Sequence, residues 1–333
     1  MAELSREARS GRLLTADPEP EEVREATGPQ PRVRRLDIIG RRNWFFALSL
    51  LIIIPGMFSM VTRGFLLGID FAGGTEFIVK FQNRPSLQAV EATVARDNVS
   101  GVVQQAADGS FIIRASPLTP VQQQKVKDDL QKTGGPISQY RADSVGPTVA
   151  REIVTSALLA VVAAAVLILL YLAFRFRRVQ GGWRSGFQFG GSALLALLHD
   201  VFLLAGIFSI LGAYFHLRIG EIDSFFLTAV LTVVGFSVHD TIVVFDRIRE
   251  NLVVSSRLTF EQVVNLSIMQ TAARSIITSF TVVIVLLALL LFGGETLKGF
   301  VLALLIGIIS GTYSSIFNAS PLLVVWRRLQ PVR

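Results

Sequence analysis

Residues 228–251 read TAVLTVVGFSVHDTIVVFDRIREN. Up to Phe245 the run is apolar enough to sit in a bilayer as a helix, yet His239 and Asp240 lie inside it. It leaves the apolar region through Asp246, Arg247 and Arg249. A carboxylate within a membrane helix costs several kcal/mol and faces the protein interior or a wet cavity, which makes Asp240 a functional candidate.

The rest of the chain agrees with a membrane helix at this place. Of 333 residues 51% are hydrophobic and only 17% charged. The apolar residues gather in long runs rather than short periodic stripes, so the reading is a polytopic α-helical membrane protein. A net charge of +7 does not indicate a nucleic-acid partner, because the arginines cluster at the ends of apolar segments, where the positive-inside rule puts them. With no cysteine, disulfides and thiolate metal sites are excluded. The first apolar run lacks a small-residue cleavage site and reads as an uncleaved anchor.

At roughly 20 residues per span, six spans are expected: Trp44–Val61, Ile153–Phe174, Gly190–Ala213, Ser224–Phe245, Ala273–Phe292 and Leu297–Val325. Pro55-Gly56 predicts a kink in the first. Arg175, Arg177, Arg178 and Arg184 follow span two; Arg247, Arg249 and Arg257 follow span four; Arg327, Arg328 and Arg333 follow span six. Near the span ends, the opposite short loops hold little basic charge (Arg63, Arg218, Lys298). Both termini are therefore expected in the cytoplasm. The expected divisions are a disordered cytoplasmic tail (1–36), a first membrane helix (37–62), an outer domain (63–150), a five-helix bundle (151–326) and a short cytoplasmic tail (327–333). Residues 257–272, with Phe260, Val263, Val264 and Ile268 on one side, read as a surface helix linking spans four and five.

The outer segment reads as a small folded domain. Thr75–Phe81 alternates as a strand, and Pro85–Asp97 has Leu87, Val90 and Val94 at helical spacing. Val102–Ala106 and Phe111–Ala115 flank Asp108-Gly109, a hairpin signal. Thr119 caps a helix with Pro120 at its first position, Gly134-Gly135 closes it, and Ile137–Arg141 follows as a strand. The order β-α-β-β-α-β predicts an α+β ferredoxin-like arrangement.

Chemistry is expected along spans three to five. Asp240 and Arg274 lie equally far from the centre of their connecting loop, so in an antiparallel pair they share a depth and are candidate partners. Ser275, Thr278, Ser279 and Thr281 follow Arg274 and suit a wet lining or a proton path; the competing reading has the hydroxyls bonded to backbone and the charges forming a static pair. His199 and Asp200 in span three repeat the His-Asp dipeptide of span four, so two such pairs could form one titratable cluster. Two His and two Asp on separate helices show no recognised metal-ligand spacing, and no metal or other cofactor is expected. Asp246, six residues past Asp240, is a candidate to pass protons to or from the cytoplasm, against the plainer reading of a solvated helix end. GIDFAGGTEF, residues 68–77, joins span one to the first strand by a tight glycine path around Asp70. Its lack of a phosphate-loop pattern, and of any Ser-His or HExxH arrangement in the chain, argues against an enzyme. Arg63 and Asp70 read as a surface pair.

GIDFAGGTEF after the first span, ALLHD in the third, VGFSVHDTIVVFDRIREN in the fourth and TAARSIITSFT in the fifth resemble the SecF family, the smaller half of the SecD–SecF protein-export complex. The resemblance runs from about Asp37 to Trp326. It implies one half of a resistance-nodulation-division fold, a partnership with SecD, and assistance to the SecYEG channel after the ATPase SecA. Unfolded preprotein, membrane lipid and protons are implied as further partners, with YajC and YidC as possible neighbours in the complex. The implied function is preprotein export using the proton-motive force. By position it assigns Asp240 and Arg274 to proton passage, and Gly68, Asp70, Gly73 and Gly74 to an outer-side motif that couples structure; Thr278, His239 and Asp246 complete the candidate proton pathway on the reading of the residues themselves. His239 stands where the family pattern has Asn, which puts the pH response of the site in question. Two other readings stay open: a proton-coupled exporter of a small molecule or lipid, which would need a second half, and a purely structural assembly factor, in which the buried charges tolerate paired apolar replacement.

Overall fold

The computed structural model describes residues 36–97, 101–106, 109–254 and 257–331; the polar tail and the tip of the predicted hairpin at Asp108 fall outside them. Among the described residues, six helices are long and apolar enough to cross a membrane: Arg42–Thr62, Pro147–Phe176, Gly182–Tyr214, Ser224–Val254, Phe260–Phe292 and Lys298–Leu329. A small antiparallel sheet domain lies between the first two, so the fold class is the one that the sequence predicts. In chain order the elements are α1 (Arg42–Thr62, span one), α2 (Ile69–Ala72), β1 (Gly74–Phe81), α3 (Leu87–Arg96), β2 (Gly101–Gln105), β3 (Phe111–Ala115), α4 (Pro120–Gly134) and β4 (Ile137–Val145). Span two is α5 (Pro147–Phe176), span three α6 (Gly182–Ser209) with a π-helical turn at Ile210–Tyr214, span four α7 (Ser224–Val254) and span five α8 (Phe260–Phe292). Span six is α9 (Lys298–Ser314), a π-helical turn at Ser315–Ala319, and α10 (Ser320–Leu329).

The expected surface helix before span five does not exist as a separate element. Thr259 caps α8 with a reciprocal Gln262 bond, and no Gly or Pro interrupts the 33 residues that follow. The helix therefore runs straight on, and Val263, Val264 and Ile268 bury against the bundle rather than lying along the membrane surface. Asn265 on the same stretch accepts the backbone N–H of Ile38 at 2.9 Å, which holds the segment before span one beneath the bundle.

Spans one and three cross at their backbones. A Cβ on Gly56 would lie 2.8 Å from the Gly206 Cα, and one on Gly206 would lie 2.7 Å from the Gly56 Cα. One turn further, Ser59 and Ser209 share a hydroxyl bond at 2.9 Å. Small residues bring helices close because lipid tails are as apolar as leucine, so contact depends on packing and interhelical hydrogen bonds.

The sheet has the order β2-β3-β1-β4, antiparallel throughout, which with its two helices is the ferredoxin-like topology. Phe77, Val79 and Phe81 of β1 pack with Phe111 and Ile113 of β3 under Val90, Val94, Val126 and Leu130 of the two helices. The α4 helix starts with a Thr119–Gln122 capping box. At Gly135, φ is +81°, and a Cβ there would lie 2.7 Å from the Asn83 side chain. Strand β4 extends to Val145, beyond the predicted Arg141, since its outward residues are charged and hide the apolar alternation. The opposite, helix-free face of the sheet, with Glu76, Ile78 and Ile112, looks onto the outer end of spans four and six.

Replacing Gly206 by Leu forces the crossing apart. Overpacking of this kind costs about 1–3 kcal/mol. A thermal melt in detergent should show a lowered Tm for Gly206→Leu, whereas Gly235→Leu, where a Cβ meets nothing within 4 Å, should melt like the parent.

Candidate functional site: two buried carboxylates between spans three and six

Asp240 on α7 is 5% exposed. Its Oδ1 accepts the Ser275 hydroxyl at 2.8 Å, while its Oδ2 is buried and has no hydrogen-bond partner among the described residues. The predicted partner, Arg274, is not there. Its side chain is exposed on the far side of α8, and no ion pair joins it to Asp240 among the described residues. Equal distance from the loop set the depth, but neighbours on a helix differ by about 100° in direction, and Ser275 is the one that faces span four. The same rotation places His239 on the exposed side of α7, one residue from the buried Asp240.

The hydroxyls after Arg274 divide. Thr278 bonds to the backbone oxygens of Arg274 and Ser275, and Thr281 to that of Thr278, which is the plain backbone reading. Ser279 instead reaches Thr312 of span six. Toward the end of span four away from the sheet domain, Asp246 lies 3.0 Å from the Arg175 guanidinium of span two and 3.9 Å from Arg249.

Asp200 is the better-connected carboxylate. It is 1% exposed and accepts four bonds: Ser237 of span four at 2.7 Å, Ser310 and Ser314 of span six at 2.7 and 2.6 Å, and His199 Nδ1 at 3.1 Å. The π-helical turn after Ser314 adds Ser315, which bonds the Thr241 hydroxyl at 2.9 Å and the Ser237 backbone oxygen at 3.1 Å. A π-helical turn within a helix frequently marks a functional segment. The two His-Asp pairs do not merge into one cluster: no hydrogen bond or ion pair links them among the described residues, and no group there could hold a metal. Sequence reasoning passed over Ser237, Ser310 and Ser314. The signal was SGTYSSIFNAS at residues 310–320, a polar density at odds with a lipid-facing helix.

The glycine motif of residues 68–74 has a concrete role. The Gly68 N–H bonds Ile222 O and the Ile222 N–H bonds Leu66 O, both at 2.8 Å, so the loop before span four is laced to the exit of span one. Asp70 does not pair with Arg63; its Oδ2 accepts the Ser224 N–H at 2.9 Å and so caps the first turn of span four from outside. Gly73 and Gly74 take φ of +72° and +139°, and a Cβ on Gly74 would lie 2.7 Å from Ala115 O.

This arrangement, six spans with a ferredoxin-like domain after the first and buried carboxylates at mid-bundle, has close counterparts among known proteins. The family described as "Protein export membrane protein SecD/SecF, C-terminal" matches residues 125–329, and the SecD/SecF GG motif matches residues 58–83. The protein translocase subunit SecF of Thermobaculum terrenum is 46% identical, covering 87% of this chain and 94% of that protein. That of Anaerolinea thermophila is 41% identical over the same shares. A crystal structure of SecDF from Thermus thermophilus, described as a translocon-associated membrane protein, superposes with a TM-score of 0.77 at 32% identity. It covers 88% of this chain, and this chain spans 39% of that one. The protein is a multi-pass membrane component of the protein-export class. It belongs to the SecF family.

The two carboxylates should separate in their effect on stability. Asp200→Ala leaves three buried hydroxyls and His199 without an acceptor and is expected to cost about 3–5 kcal/mol, the range for breaking a buried charged network. Asp240→Asn keeps an acceptor for Ser275 and should cost about 1 kcal/mol or less. Denaturant unfolding in detergent, followed by circular dichroism, measures both.

Proposed function

We propose that this chain is an auxiliary subunit of the Sec protein-export machinery in the plasma membrane, acting with SecD at the SecYEG channel to promote preprotein movement at the expense of the proton-motive force. Both termini lie in the cytoplasm in this reading, and the sheet domain lies outside. The observation that carries it is the asymmetry of Asp240. One oxygen is held by Ser275 and the other is buried without a hydrogen-bond partner among the described residues, so a proton has a lone pair to occupy. Asp200, with four donors, has none to spare.

A proton arriving at Asp240 removes the charge and weakens its claim on the Ser275 hydroxyl, which lets spans four and five shift against each other. One charge moving through 100 mV is worth about 2.3 kcal/mol, a tens-fold bias on a two-state element. Arg274, His239 and Thr278 lie on exposed faces of spans four and five. A charged side chain there needs cover from lipid, and SecD, which the fused SecDF relatives carry in the same chain, supplies that cover in this reading. Asp246, paired with Arg175, is the cytoplasmic end of the route. No reacting group of an enzyme enters the proposal.

Translocation of a preprotein into inverted vesicles that carry the chain with its SecD tests this. With a proton gradient, the parent should be stimulated and Asp240→Asn should lose the gradient-dependent part, at equal assembly with SecD. Equal stimulation of both would remove Asp240 from the energy coupling.

A further inference from the structure

Outside the membrane spans, four charged side chains meet where the sheet domain adjoins the bundle. Arg114 of β3 bonds Glu76 of β1 at 2.9 Å and also bonds Glu221, in the loop before span four. Arg218 of the same loop reaches Glu76 at 3.0 Å and stands 3.9 Å from Glu221. The four side chains are between 11% and 29% exposed. Glu76, Arg218 and Glu221 line a cavity of about 550 Å³ between the helix-free face of the sheet and the adjoining end of the bundle. Glu221 is held there by the backbone lacing of Leu67 with Ile222, and Gly68 makes room for it: a Cβ at 68 would lie 2.7 Å from the Glu221 carboxylate. None of these groups takes part in the Asp240 site.

We propose that Glu221 is a proton-binding site on the sheet-domain side of the membrane, and that its occupancy governs how firmly the sheet domain seats on the bundle. The site binds a proton as RCOO⁻ + H⁺ → RCOOH, and its neighbours are set to make that binding depend on seating. From the sheet, Arg114 and Glu76 face it directly, and Arg141 and Asp143 line the same cavity. From the bundle come Arg218 and Asp223 on its own loop, Asp70 of α2 and Lys298 of α9. With the sheet seated, burial pushes the Glu221 carboxyl up to about 7, against the pull of Arg114 and Arg218 and with the push of Glu76 and Asp223. Asp223 is also raised, by burial first.

The direction of the effect follows from where the proton is held more tightly. A Glu221 uncovered by a lifted sheet returns toward the ordinary value of 4.5, so the seated state is the better proton acceptor. Seating is therefore fully favoured below that ordinary value and weakens as pH rises through about 7. Across that window the seating equilibrium changes on the order of 100-fold. An acidic exterior seats the domain and an alkaline one loosens it. Which compartment that exterior is rests on the orientation proposed above; the seating equilibrium itself does not.

The absence of cysteine allows clean labelling. Spin labels at Val61→Cys on span one and Val121→Cys on α4, both strongly exposed, report the distance between bundle and sheet domain in the full chain in lipid nanodiscs. Between about pH 5.5 and about pH 8.5 the parent should pass from one narrow distance to a mixture with a longer one. The seated-to-lifted ratio should fall at least about tenfold around a midpoint near 7. Glu221→Gln should hold the narrow distance throughout. Arg218→Gln, which removes a charge that favours ionised Glu221, should move the midpoint upward, and it serves if Glu221→Gln does not fold. A pH-invariant parent overturns the proposal, as does an unmoved midpoint in Arg218→Gln or a parental response in Glu221→Gln. Translocation is not the readout, so failure here leaves the Asp240 reading standing, and the reverse holds too.

Discussion

Asp200 lies almost wholly out of water among apolar helices, and a charge in that position is tolerable only if its lone pairs are occupied. Three serines from two other spans, and the histidine beside it, supply the donors. Those bonds tie spans three, four and six at one depth, and they ask span six for two serines on one face just before its helix loosens into a π-helical turn. Close packing follows from the same demand: a Cβ on Gly311 would lie 2.9 Å from the Ser237 side chain, so span six can approach span four at this level only without one.

Against that fixed centre, Asp240 is the looser carboxylate. It stands one turn beyond Ser237 on the same helix but faces span five, and a single hydroxyl holds it. Bonding saturation separates the two acids more sharply than burial, since both are below 6% exposed. A group that trades a proton must have somewhere to put it, and a group that sets helix register must not.

Much of this was legible in the sequence. The six apolar runs, the Thr119-Pro120 and Gly134-Gly135 boundaries of α4, and the alternation of β1 each state their element through a local physical preference. What could not be read was direction around a helix axis. Asp240 and Arg274 were at matching depth on adjacent helices, yet the facing residue is Ser275, because azimuth depends on how whole helices pack and a near-uniformly apolar span carries little periodicity to reveal it. The separate surface helix at 257–272 failed for a related reason: its apolar stripe was real, but the stripe could face protein as easily as membrane, and no Gly or Pro stood at its end to stop the helix. Asp200 was noticed only as a repeat of the His-Asp dipeptide; its importance lies in serines up to 114 residues away in sequence.

Span four connects these levels. Its outer end is capped by Asp70 of the glycine motif and preceded by Glu221 and Asp223, its middle carries Ser237 and Asp240, and its inner end holds Asp246 against Arg175. A helix of 31 residues without proline transmits rotation and translation with little internal loss. Asp200 ties one side of it through Ser237, so in the proposed mechanism a change in charge at Asp240 acts on a helix already held at that side. The backbone lacing at Gly68 and Ile222 links the helix to the exit of span one and the root of β1, which is where the sheet domain is fastened. The proposed proton site at Asp240 and the fastening of the sheet domain thus lie along one continuous helix, and the charged cluster around Glu221 sits where that helix meets the sheet domain.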